Sequence, residues 1–365
     1  MRILQSVALE GRSAGSEYAL AYSRELKKRG HSVYFLTVPQ SQTYHRTKDL
    51  GLEAVEGIDL SEKKLTFLRN LSKLKQLIAK VKPEVVLAHW GPDHTAWGWA
   101  LRKTKIPLVR VRSHSPLSPN RHFAARWLVG RTALFIVGNG FQRKQYVDEL
   151  GVPGERVVQI PFGIKTSEYP FSTPASSPPV GRAVRILQLG RFSPVKGHQF
   201  LIQSIGKLKG EIRTPFRLTV AGFEAELTAA DLQKWREDAG LWDQIEILPN
   251  VPDSRGLISS CDFGVVASTG SEATARVALE LMAAGKPVMA SRVGILPELV
   301  GEGTGWLFEP GSFESFAATF KQALASSSRY AGMGKAARAK VETDFDLDKL
   351  AGRMESVLQK LVSNA

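Results

Sequence analysis

Short runs of β-branched and large apolar residues alternate along the whole chain with stretches whose apolar positions recur every three or four residues. The pattern predicts strands at Ile3–Leu9, Ser32–Thr37, Val85–His89, Leu108–Arg112, Leu134–Val137 and Val157–Ile160. A helix over Ala14–Arg29, stopped by Gly30, separates the first two. A second series begins at Arg185–Leu189 and continues near Leu218–Ala221, Ile245–Leu248, Phe263–Ala267 and Pro287–Ala290. Asp346 to Leu361 reads as a closing helix. Strands alternating with helices indicate parallel sheets covered on both faces.

The two series are separated by TSEYPFSTPASSPPVG, residues 166–181, where four prolines among Ser and Thr suit a linker rather than a helix or a central strand. The expected fold class is therefore α/β, with two Rossmann-like domains facing a central cleft. Residues 1–165 form the first, 182–343 the second, and 344–365 are a C-terminal helix that packs back on the first. A crevice at strand carboxyl ends is where such sheets bind ligands.

Composition changes the picture through its charge. The 365 residues carry 49 Lys plus Arg against 35 Asp plus Glu, a formal +14. Residues 1–165 hold 27 basic and 13 acidic side chains, whereas 166–365 hold 22 of each. The whole excess thus belongs to the first half, which points to an anionic partner there. Cys261 is the sole cysteine, so a disulfide framework and a cysteine metal cluster are excluded and a reducing compartment fits. Glu10 and Arg12 interrupt the opening apolar stretch, and no run approaches the ~18 residues of a spanning helix. The expected location is cytoplasmic, with peripheral contact at the inner face of the membrane.

The densest chemistry lies in GSEATARVALELMAAGKPV, residues 270–288. Glu272 and Glu280 are eight residues apart; on one helix they would stand about 12 Å apart and about 80° round, gripping two ends of an extended ligand. With Ser271 near the helix start, Ala273, Thr274 and Ala275 would offer backbone N–H groups. Gly190, Arg191 and Lys196 follow a strand in LQLGRFSPVKGHQFLIQSI (187–205), where two cations can meet a diphosphate. Gly11 and Gly15 in LEGRSAGSEYA do not fit G-x-G-x-x-G, though small residues permit close approach of a ligand. His114 follows a strand in VRSHSP, and Asp93 and His94 follow His89 in AHWGPDH with spacing too loose for a metal site.

Together with IPFGIKTSEY (160–169), VGILPELV (293–300) and GWLFEPG (305–311), these segments resemble the retaining GT-B glycosyltransferases of family 4 (glycosyl transferases group 1) over nearly the whole chain. The GSEATARVALE form resembles a bacterial envelope-glycan subgroup. The resemblance implies a UDP- or GDP-sugar donor, with Arg191 and Lys196 on its diphosphate, Glu280 on the ribose, and Glu272 with the nearby amides on the sugar. It implies roles for His114 at the donor sugar and Gly15 near the diphosphate. It implies no enzymic nucleophile, no metal and no other cofactor; the leaving phosphate oxygen assists the acceptor on the same face. Phe162 stands where many members have Asn, Lys165 where an acidic residue is usual, and Ala275, followed by Arg276, where glycine is common. These departures border the donor pocket and leave the sugar unassigned. DFDLD (344–348) reads as acids in the first turn of the last helix rather than a metal motif.

In the basic half, Phe67, Leu71, Leu74, Ile78 and Val81 form an apolar stripe with Arg69, Lys73 and Lys80 opposite, available to anionic lipid. A second cluster includes Arg102, Lys103, Lys105, Arg110, Arg112, Arg121, Arg126 and Arg131, with Trp90, Trp97, Trp99 and Trp127 among them. Interleaved indoles and cations suit a membrane interface or a sugar platform. The expected acceptor is a phosphorylated or lipid-linked glycan at an anionic membrane surface. Nucleic acid is not expected as a partner, because no zinc-finger, homeodomain or RNA-recognition signature accompanies the charge. A GT-B relative that binds nucleotide-sugar without transfer, or epimerises it, remains the alternative.

Overall fold

The structure is a computed structural model that describes residues 1–9, 11, 13–60, 67–112, 123–172, 182–270 and 272–364, with Phe67 and Leu68 described by their backbone alone. His114, Ser271, Arg121, residues 61–66 of the basic segment and residues 173–181 of the proline-rich stretch lie outside these. The chain forms two compact units, Met1–Gly163 with Leu347–Ala365, and Ile164–Asp346. Residues 166–172 thus belong to the second unit, where Thr166–Glu168 makes a single 3-10 turn.

Among the described residues the first unit holds a parallel sheet of β1 (Arg2–Val7), β2 (Ser32–Thr37), β3 (Glu53–Val55), β4 (Val85–Ala88), β5 (Leu108–Arg112), β6 (Leu134–Val137) and β7 (Val157–Gln159). Their order is β3-β2-β1-β4-β5-β6-β7. The strands β4, β5 and β6 are buried at every position; β4 and β6 accordingly read as unbroken apolar runs, whereas β5 carries Arg110 and Arg112. Ser13 starts the helix Ala14–Lys28 through a capping box with Ser16, and Gly30, at φ 84°, ends it. Gly15 therefore lies in the first helical turn, because the cap at Ser13 starts the helix before it; it is not a turn glycine.

The C-terminal helix Leu347–Ser363 belongs to this first unit. Arg29 donates to Asp348 Oδ1 at 2.7 Å, and His31 Nε2 meets Glu355 Oε1 at 2.8 Å, tying that helix to the end of Ala14–Lys28. Of the DFDLD acids only Asp348 falls in the first turn. Asp344 is in the π turn Val341–Phe345, paired with Lys340, and Asp346 accepts from Thr166 Oγ1.

The second unit builds a parallel sheet from β8 (Val184–Leu189), β9 (Phe216–Gly222), β10 (Ile245–Pro249), β11 (Phe263–Val266), β12 (Val288–Ser291) and β13 (Gly305–Phe308). The order β10-β9-β8-β11-β12-β13 reverses direction between β8 and β11, and the corresponding reversal in the first sheet lies between β1 and β4. Loops leaving two neighbouring strands at such a point diverge to opposite faces and open a crevice at the carboxyl ends. The core on this sheet is rich in Phe and Leu, with Phe192, Leu201, Ile205, Phe263, Phe316 and Phe320 fully buried.

Candidate active site

The loops after β8 and β11 converge on one small cavity of about 90 Å³ lined by Gln188, Lys196, Ser268, Glu272, Thr274 and Arg276 among others. The loop after β8 turns at Gly190, φ 154°, and closes as the 3-10 turn Pro194–Lys196. Gly197 follows at φ 69° and starts the helix His198–Leu208. A Cβ there would lie 1.9 Å from the Ala267 carbonyl oxygen, so only glycine lets this loop pack against the end of β11. His198 Nε2 lies 3.0 Å from the Arg191 carbonyl; burial pushes its pKa down, so the neutral ring donates and steadies the turn.

Lys196 Nζ donates to Glu272 Oε1, and Ser268 Oγ donates to the same oxygen at 2.6 Å. Ser291 Oγ in turn donates to the Ser268 carbonyl at 2.6 Å. The Glu272 backbone is pinned as well. Ile295 N donates to Glu272 O at 2.9 Å, and Gly294, at φ 55°, packs so closely that a Cβ would lie 2.1 Å from that oxygen. Arg191 stands apart from this cluster, 45% exposed and 3.9 Å from Glu226.

The expected helix running through both glutamates is corrected here. It spans Arg276–Ala283, so Glu272, Ala273, Thr274 and Ala275 precede it and Glu280 alone is helical. Two observations explain the late start: the tertiary contacts of Gly294 and Ile295 hold Glu272 out of helical geometry, and Ala275 takes φ 41°. That left-handed backbone costs a residue with a side chain roughly 1–2 kcal/mol, which accounts for glycine being common at this position. Glu280 is buried and accepts from Arg276 Nε at 2.8 Å. Burial and the neighbouring Glu280 charge push the Tyr169 phenol pKa up, so it stays protonated.

Several expected surface groups are elsewhere. Arg110 and Arg112 are buried, with Arg110 donating to the Ala88 carbonyl at 3.2 Å, because both belong to β5, an inner strand between β4 and β6 that is buried at every position. They are not part of an exposed patch. Trp97 is a core residue whose Nε1 donates to Ser6 Oγ at 2.8 Å, whereas Trp99 is exposed and pairs with Trp127 at 4.9 Å. Asp93 is fully buried and caps its helix, Oδ2 accepting from Ser6 Oγ and from the His89 and Trp90 amides. Burial pushes the Asp93 carboxyl up to about 6 against the opposing influence of Arg110. His94 Nε2 meets Thr132 Oγ1 at 2.7 Å and His89 Nε2 meets Gln5 Oε1 at 2.8 Å. His89 and Asp93 thereby link the carboxyl ends of the central strands β1 and β4. Among the described residues no group of three His, Cys, Asp or Glu could hold a metal ion.

Sequence reasoning passed over Ser268, Ser291, Gly294 and Tyr169. Two of them lie in motif segments: Gly294, which the structure sets against Glu272, in VGILPELV, and Tyr169 at the end of IPFGIKTSEY.

Two family models match: Glycosyltransferase Family 4 over residues 15–168 and Glycosyl transferases group 1 over residues 173–340. The chain is thus built from two glycosyltransferase family domains, the first of family 4 and the second of group 1. Among curated relatives, this chain is 24% identical to a D-inositol 3-phosphate glycosyltransferase of Acidothermus cellulolyticus, over 59% of this chain and 52% of the relative. It is 32% identical to the lipopolysaccharide 1,2-N-acetylglucosaminetransferase of Salmonella typhimurium, over 48% of each. The matched part of the glycosyltransferase thus spans about half the length of these relatives. Its fold is that of Anabaena Alr3699/HepE, solved in complex with UDP: TM-score 0.83 at 19% identity, covering 99% of this chain and 100% of that one.

Proposed function

We propose that this protein transfers a glycosyl group, with retained anomeric configuration, from a UDP- or GDP-sugar to a phosphorylated or lipid-linked envelope glycan. The observation that carries the reading is the placement of Lys196 and Glu272 on one cavity at the β8/β11 reversal. HepE, named above as a UDP complex, supports the donor class, and the Salmonella relative supports an envelope acceptor.

In this reading Lys196 and Arg191 neutralise the diphosphate as its bond to the sugar C1 breaks. The acceptor oxygen forms the new bond on the same face, and its proton passes to the departing diphosphate oxygen. Glu272 accepts from donor-sugar hydroxyls, and His114 positions that sugar. Glu280 holds the ribose diol: a carboxylate has about four acceptor sites, so Arg276 leaves room for two hydroxyls. No metal or other cofactor is required.

A thermal-shift series against UDP, GDP, ADP and their sugars tests the donor. One nucleotide should raise the unfolding temperature clearly, and Glu280→Ala should weaken its binding about tenfold, the worth of a charged hydrogen bond. Unchanged affinity in the variant removes the ribose role. Retention is read from the anomeric signal of the product, which forms only when acceptor is present.

In this reading the basic helix Phe67–Val81 meets the anionic surface. Leu74 and Val81 are buried in the first core, whereas Arg69 and Lys80 are exposed and Lys73 reaches the Gly57 carbonyl at 2.6 Å. No helix among the described residues is long and apolar enough to cross a membrane, so contact is peripheral at the cytoplasmic face in this reading. Replacing Arg69, Lys73 and Lys80 by Ala should cut binding to phosphatidylglycerol vesicles by about 1 kcal/mol per charge, with neutral vesicles unaffected. Equal binding by the triple variant returns the helix to a purely structural role.

A further inference from the structure

The second unit contains another cavity, of about 480 Å³, at the amino ends of its strands. Its walls come from the starts of β8, β9 and β10 and from the segment entering β11. On β8 the lining runs from Arg185 to Leu187, so the cavity lies about 10 Å along the strand from the loop bearing Lys196. Its volume falls within the roughly 300–1,000 Å³ of small-molecule sites.

Three arginines face it. Arg185 and Arg217 are direct neighbours in the β8–β9 register, both exposed. Like charges side by side on adjacent strands repel, a cost that a bound anion would reverse. Arg236 enters from the helix Ala229–Asp238 and lies over the Trp242 ring at 4.7 Å. Its Nε is buried without a hydrogen-bond partner. Trp242 itself is 57% exposed, a large apolar ring held open at the rim.

The opposing charges are already partly engaged. Asp243 and Glu246 also line the cavity, Glu246 accepting from Thr219 Oγ1 at 3.5 Å. Asp262 accepts from Arg182 at 2.9 Å and lies 3.6 Å from Arg185. Arg217 spends one N–H on the Asp243 carbonyl at 2.8 Å and Arg236 one on the Ile245 carbonyl at 3.3 Å. A guanidinium has five donors, so each keeps several for an anion.

We propose that this cavity binds a small phosphorylated sugar, its phosphate held by Arg185, Arg217 and Arg236 and its pyranose ring laid on the Trp242 indole. The guanidinium forks match phosphate oxygens in pairs, and an indole face matches the apolar face of a pyranose. Inorganic phosphate satisfies only the first half and so binds more weakly.

The test is calorimetric titration with glucose 6-phosphate, glucose and inorganic phosphate, with tryptophan fluorescence in parallel. Wild type should bind glucose 6-phosphate saturably, phosphate more weakly and glucose undetectably. Arg217→Ala with Arg236→Ala should weaken glucose 6-phosphate about tenfold or more. Trp242→Phe should remove the fluorescence change while retaining part of the affinity, which keeps the test decisive if the double variant unfolds. Lys196→Ala should leave this binding unchanged, so it stands or falls separately from the donor reading. No saturable binding by wild type, binding intact in the arginine variants, or full displacement by UDP would each overturn the proposal.

Discussion

Lys196→Ala is expected to lower turnover about 100- to 1,000-fold, the loss seen when one preorganised donor to developing negative charge is removed. The structure gives two reasons for so large an effect. Lys196 lies on the 3-10 turn that follows β8, at the point where the sheet opens, so its ammonium faces the cavity without reorganisation. It is also the cation paired with buried Glu272, and without it that carboxylate keeps only the Ser268 hydroxyl among those two donors. The donor's Kd should change far less than kcat, because the lysine acts on charge that grows as the bond breaks. Single-turnover kinetics with saturating acceptor reads this directly, and a rate near that of wild type would refute the leaving-group role. Lys196→Arg should recover only part of the rate, since a planar fork does not reproduce a point charge at the same place.

Gly294→Ala is expected to damage both stability and rate although residue 294 carries no chemistry. The new Cβ would meet the Glu272 carbonyl oxygen at 2.1 Å and its carbonyl carbon at 2.6 Å, and φ 55° adds strain of its own. Backbone on both sides must shift, costing roughly 1–3 kcal/mol. A displacement of Glu272 near 1 Å can cost about 100-fold in rate. Gly301→Ala is the matched control, because no atom lies within 4 Å of the corresponding Cβ. Denaturant unfolding and kcat measured on both variants separate the cases; equal behaviour would show that Glu272 is held by something other than this contact.

How much of this was readable beforehand varies element by element. The buried strands β4, β6 and β11 announce themselves as continuous apolar runs, since burial on both faces removes the polar alternation that blurs other strands. The edge strand β3, three residues with an exposed Glu53, has no such signal, and β13 was visible only as part of the GWLFEPG motif. Arg110 and Arg112 show a different failure. Charge in sequence looks like surface, yet β5 is enclosed, and the guanidiniums are buried within the fold instead.

The sequence alone determined the α/β alternation, the concentration of basic charge in the first half, and the residue types of the candidate site, with Lys196, Glu272 and Glu280 all present in motif. Those properties follow from local composition and periodicity. What only the tertiary structure decided is how the glutamates are held. Glu272 is fixed from outside its own segment, by Lys196, Ser268 and the backbone of Gly294 and Ile295, and so it stands before the helix. Glu280 is on that helix, accepting from Arg276 one turn before it. The spacing of eight residues is the same in either geometry; contacts from distant parts of the chain selected between them.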